Sequence, residues 1–116
     1  MQPPIKSYSF GKLIVDNRVY THDIIILPDR IIDNWWRKEG HYLQLDDLKD
    51  IGEIIADAAV IGTGYYGLMR VDKEVIEYFK EKGMEVYVAE TREAVEKYNE
   101  LVKKGKKVIG LFHLTC

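Results

Sequence analysis

Gly62, Gly64 and Gly67 follow directly on the apolar run Ala59-Val60-Ile61, and this G-x-G-x-x-G spacing is where a phosphate-cradling turn is looked for. Successive backbone N–H groups in such a turn can bind phosphate or carboxylate, and small residues let the ligand approach the main chain. The match to a dinucleotide clamp is partial. In that clamp a helix opens within the motif and aims its positive dipole end at the pyrophosphate. Here Leu68, Met69, Arg70 and Val71 intervene before Asp72, the first good helix cap, so the backbone is expected to stay non-helical beyond Gly67. The expectation is a glycine-lined mouth, with Tyr65 inside its loop, suited to a small anion rather than to a nucleotide cofactor. Turn chemistry alone meets the same spacing, with the glycines relieving sterics in a long connection.

A second concentration of unusual residues is Trp35-Trp36-Arg37-Lys38-Glu39-Gly40-His41. Neighbouring side chains of an extended segment point to opposite faces, so one tryptophan can enter the core while the other needs a cover. That cover comes from the chain's own loops or from a partner, and Trp and Arg dominate interface energetics. Trp35, Trp36, Arg37 and His41 are therefore a candidate interaction surface. Arg37 could alternatively hold a carboxylate or phosphate at the mouth through its planar fork.

The third segment is His113-Leu114-Thr115-Cys116. His113 and Thr115 share a face and, at the end of a strand, are expected to project into the same mouth as Gly64. Cys116 as a nucleophile with His113 as base is disfavoured, because residues three apart in an extended segment face opposite sides. No catalytic residue is assigned. Three histidines and one cysteine without H-x-x-x-H or C-x-x-C spacing give no metal site.

These residues must be positioned by an α/β framework. Gly11 to Val15 and Arg18 to Tyr20 flank Asp16-Asn17, a two-residue hairpin signal. Ile24 to Leu27 reads as a strand buried on both faces, and Arg30 to Trp36 as another β-prone stretch. Leu45, Leu48, Ile51 and Ile55 recur at helical spacing after the start signal Asp46 or Asp47, with Gly52 weakening the middle. From Ala58 onward each strand is followed by a capped amphipathic helix. Asp72 caps a helix bearing Val75, Ile76 and Phe79, and Gly83 closes it. Met84 to Ala89 is the next strand. Thr91 is expected to cap a longer helix with Ala94, Val95, Tyr98, Leu101 and Val102 on one stripe, before a last strand from Val108 to Phe112. This βαβαβ order implies parallel neighbours, and the antiparallel front makes the sheet mixed.

The 116 residues suit a single domain, 1–116, large enough for a core without staples. With 17 Lys and Arg against 19 Asp and Glu, the net charge of −2 argues against nucleic acid and anionic membrane as partners. The basic run Lys103 to Lys107 straddles a helix end, where cations complement the dipole. No apolar run reaches the roughly 20 residues of a membrane span, and the lone Cys116 fits a reducing cytoplasm.

Taken together, the Trp35 to His41 segment, Val60-Ile61-Gly62-Thr63-Gly64, Tyr98-Asn99 and the closing His113-Leu114-Thr115-Cys116 resemble a small domain family. It is the domain of unknown function shared by the mitochondrial complex I assembly factor 3 proteins and the adipogenesis-associated single-domain proteins. The resemblance covers nearly the whole chain. It implies a three-layer fold with a mixed central sheet, helices on one side and an antiparallel β layer on the other. It carries no catalytic residues and no cofactor, and implies action through protein contacts. The expectation is a non-catalytic protein-interaction or assembly-type module, acting through a protein partner or as a homodimer. The alternative is a small anionic-ligand binder, or an enzyme, using Gly62, Gly64, Tyr65 and Gly67 with Arg37, His113 and Thr115.

Overall fold

The computed structural model describes residues 2–116. Strands β1 (Ile5–Ser9), β2 (Lys12–Val15) and β3 (Arg18–Tyr20) form an antiparallel sheet in that order. The hairpin joining β2 to β3 turns at Asp16-Asn17, with Asp16 at φ 57°, a left-handed conformation that a short polar side chain tolerates.

The chain then enters a mixed five-stranded sheet through β4 (Ile24–Ile26) and β5 (Ile31–Ile32). A loop region follows, holding β6 (Tyr42–Leu43) and a 3-10 turn at Leu45–Leu48. The chain returns to the sheet as β7 (Ala58–Thr63), passes through β8 (Arg70–Val71), which pairs with β6, and forms helix α1 (Lys73–Glu81). Strand β9 (Glu85–Ala89), helix α2 (Thr91–Lys103) and β10 (Val108–His113) complete it. The sheet order is β5-β4-β10-β7-β9, with β10, β7 and β9 parallel and β4 antiparallel to β10.

Strand alternation divides the core in two. Ile24, Ile26, Ala58, Val60, Val108 and Phe112 face α2 and the three-stranded sheet. Ile25, Leu27, Ala59, Ile61, Ile109 and Leu111 face α1, Trp35 and the 3-10 turn. The two helices therefore lie on opposite faces, not together on one side as the resemblance implies, and the antiparallel layer shares its face with α2. The physical reason is the strand order. The chain steps from β7 outward to β9, then back across β7 to β10, and two right-handed crossovers in opposite directions put their helices on opposite faces.

Three local expectations are corrected. The β-prone stretch from Arg30 to Trp36 yields only the two-residue β5, because the chain turns away at Asn34, which sits at φ 56°. The helical spacing from Leu45 to Ile55 gives only the 3-10 turn. Gly52 stands at φ 73°, incompatible with a continuing helix, and Ile55 is 89% exposed rather than on a buried face. Thr91 does not cap α2. Glu90 holds that position, and Thr91 is the first helical residue with its hydroxyl committed elsewhere. Asp72 does cap α1, accepting from the Glu74 N–H at 3.1 Å.

Candidate functional site

The glycine loop stays non-helical from Gly64 to the start of α1, as its spacing from Asp72 implies. Four of its N–H donors are already used. The Gly64 N–H donates to Thr91 Oγ1 (2.8 Å), the Tyr65 N–H to the Thr115 carbonyl (2.6 Å), and the Leu68 N–H to the Cys116 main-chain oxygen (3.0 Å). The Gly67 N–H turns inward to the Gly64 carbonyl at 3.2 Å. Gly64 sits at φ 109°, and a side chain there would collide with the backbone of Thr115 and Cys116. At Gly62 an added Cβ would stand 2.8 Å from Thr91 Oγ1. The glycines thus admit the chain's own Thr115-Cys116 segment and the start of α2. Thr91 ties the two together, its hydroxyl donating to the His113 carbonyl at 2.6 Å.

Beside this clasp lies a different arrangement, set by strand register. Phe112 of β10 pairs with Ile24 of β4, so the next residues outward, His113 and Asp23, are brought together on the face that carries Leu111 and Ile25. The Asp23 carboxylate accepts from His113 Nδ1 (2.8 Å) and from Arg37 Nη2 (2.8 Å) through Oδ2, and from the Leu114 N–H (2.8 Å) through Oδ1. Arg37 is fixed at further points. Its Nε and Nη2 donate to the Gly40 carbonyl at 3.1 and 2.8 Å, and its Cζ stands 4.9 Å from the centroid of the Trp35 ring. Trp35 anchors this loop, its backbone N–H donating to the Asp23 carbonyl and its indole N–H to the Asp47 carbonyl.

The arrangement dictates the histidine's tautomer. Nδ1 lies 2.8 Å from a carboxylate oxygen and 3.1 Å from Arg37 Nη2, so an unprotonated Nδ1 would turn its lone pair on the carboxylate. Nδ1 therefore carries the hydrogen and Nε2 of the neutral ring is an acceptor. Burial pushes the Asp23 carboxyl upward, but the His113 and Leu114 hydrogen bonds and the Arg37 charge together hold it below the usual carboxylate range. Two buried nitrogens, Arg37 Nη1 and His113 Nε2, have no partner among the described residues.

Both residues help wall a cavity of about 350 Å³, with Trp35, Trp36, His41, Thr115, Asp23, His22, Thr21, Asn34 and Gly40. The structure thus gathers Trp35, Trp36, Arg37, His41, His113 and Thr115 around one space. It does not place Gly62, Gly64, Tyr65 or Gly67 in that wall. Tyr65 packs instead among Tyr8, Phe10 and Tyr66, with Arg92 over its ring. Asp23 is the residue that sequence reasoning missed. Its one signal is an acidic side chain directly before a strand buried on both faces, where an isolated charge is costly without a partner.

A model of the family described as Protein of unknown function (DUF498/DUF598) matches residues 5–113, and the chain belongs to this family. Among solved structures, a conserved hypothetical protein from Pyrococcus horikoshii is 28% identical with a TM-score of 0.80, over 97% of this chain and 98% of that one. The protein called MT938 is 24% identical with a TM-score of 0.80, over 99% and 100%. A Bartonella henselae protein described as an outer membrane protein is 21% identical with a TM-score of 0.77, over 99% and 97%. Below 25% identity, the last two likenesses speak to the fold alone. No helix among the described residues is long and apolar enough to cross a membrane.

Proposed function

We propose that this member of the DUF498/DUF598 family is a non-catalytic recognition module that engages a protein partner, a second copy of itself included, at the rim of the Trp36 cavity. The tryptophan pair carries the reading. Trp35 is 5% exposed and locked by its indole hydrogen bond, whereas the adjacent Trp36 is 76% exposed on the cavity wall. A large aromatic held out from a rigid base, with polar Thr21, His22 and Asn34 around it, has the make-up of an interface anchor and its rim. An assembly-type role of the kind the resemblance implies would be exercised through this surface.

The test is a photoreactive phenylalanine analogue placed at Trp36 in cells, with the same group at exposed Ile55 as control. A defined protein adduct from position 36 alone is expected. Equal or absent adducts at both positions would remove the reading. Arg37→Ala is unsuited to this test, because Arg37 is buried and holds Asp23.

A further inference from the structure

We propose that the cavity binds a small carboxylate between Nη1 of Arg37 and Nε2 of His113, and that His113 takes up one proton as the ligand enters. The side chains of Arg37 and His113 are 4% and 6% exposed, both stand in the cavity wall, and each carries one nitrogen without a partner among the described residues. Arg37 Nη1 is a buried donor in demand of an acceptor, and His113 Nε2 of the neutral ring is a buried acceptor without a donor among the described residues.

The charge balance decides the ligand class. Besides His113, four titratable or charged groups stand in this wall: Asp23 and His22 ahead of β4, and Arg37 and His41 from the loop after β5. Of these, Asp23, Arg37 and His41 meet the His113 ring. Asp23 balances Arg37 while His113 is neutral. One oxygen of an entering carboxylate satisfies Arg37 Nη1 directly. The other meets Nε2, whose lone pair repels it unless a proton stands between them. Solvent supplies that proton, and Asp23 behind Nδ1 stabilises the imidazolium against the opposing charge of Arg37. The site then holds one excess positive charge for one negative ligand.

Shape narrows the class further. Two donor nitrogens match the two oxygens of a carboxylate in number, whereas a phosphate presents more oxygens than they can satisfy. The cavity volume of about 350 Å³ is near the small end of ligand sites, and the rings of Trp35, Trp36 and His41 offer flat walls. The fitting ligand is a small carboxylate with a flat apolar body. His41 packs edge-on to His113 at 5.8 Å and is itself exposed, so it can turn aside as the ligand enters.

Benzoate is the probe, titrated into the ¹⁵N-labelled full chain while the histidine side-chain nitrogens are followed by NMR. The expected result is a saturable shift of His113 Nε2 from the acceptor to the protonated position. Where free His113 is neutral, affinity should fall about tenfold per pH unit, the signature of one linked proton. Benzamide and inorganic phosphate should leave Nε2 unchanged. The proposal is overturned by a titration that does not saturate, by saturation with Nε2 unprotonated or pH-independent affinity, or by equal binding of benzamide or phosphate. The measurement needs no variant. It is also independent of the cross-link at position 36, so failure of either leaves the other readable.

Discussion

The glycine loop and the Asp23-Arg37-His113 cluster are neighbours joined through Thr91 and the end of β10, yet they are opposites. The loop has the spacing of a ligand cradle, and its Gly64, Tyr65, Gly67 and Leu68 donors all meet acceptors from the chain itself. The cluster has no motif, drawing its three residues from separate parts of the chain, and it leaves two buried nitrogens without a partner among the described residues, beside a cavity. Residue spacing reports how many donors a turn can present. It does not report whether they are free, and free donors are what a ligand needs.

The widest separation between the two regions should appear on removing the charge that holds the cluster together. Asp23→Ala leaves Arg37 buried without its counter-ion and is expected to lower stability by about 3–5 kcal/mol in urea denaturation. A loss below about 1 kcal/mol would mean that Arg37 finds another partner or water.

Gly64→Ala tests the clasp on the other side of the comparison. It forces a side chain into a left-handed φ against the Thr115-Cys116 backbone, for an expected loss of about 3 kcal/mol. A near-neutral result would show the loop free of that segment, restoring it as a ligand cradle.

Thr91→Val removes the hydroxyl that joins the regions, leaving the buried Gly64 N–H and His113 carbonyl short of a partner, at about 1–3 kcal/mol. If the regions are coupled through Thr91, the His113 side-chain signals should move as well. Unmoved signals would make the two regions independent.

The pH dependence sharpens the cluster alone. Asp23 titrates lower in the folded state than its unfolded value of about 3.9. Its contribution is therefore complete above that value and lost as pH falls through the folded pKa. The stability advantage of the wild type over Asp23→Asn should shrink as pH falls below about 4. An advantage unchanged to the lowest pH at which the fold persists would remove the ionised carboxylate from the explanation. The smallest effect is expected at Trp36, whose change to alanine should shift stability by less than about 0.5 kcal/mol. A larger loss would place its ring in the domain's own packing and weaken the interface reading.

Much of the framework was legible. The Asp16-Asn17 turn, the all-buried Ile24 to Leu27, the Asp72 cap and the α2 stripe each depend on residues within a few positions of one another. The division of Trp35 from Trp36 was legible for the same reason, although the segment is a loop and not a strand. The failures share a different cause. Leu45 to Ile55 has a helical period, but the Asp47 carboxylate accepts from the Lys38 and Gln44 N–H groups, tying the turn to the tryptophan loop, and Gly52 reverses the chain. Thr91 looks like a cap until β7 and β10 bring Gly64 and His113 to its hydroxyl.

By itself the sequence determined the alternation of β7, α1, β9, α2 and β10, the non-helical path after Gly67, and the residue types available for binding. These follow from side-chain periodicity and local backbone sterics, which act over a few residues. Only the tertiary structure decided that Asp23 meets His113 across 90 positions, that Arg37 joins them rather than the glycine loop, and that the Gly64, Tyr65, Gly67 and Leu68 donors of the loop are spent. The reason is that a hydrogen bond is completed by whichever group the sheet register and the crossovers bring alongside, and no local pattern in the chain records that neighbour.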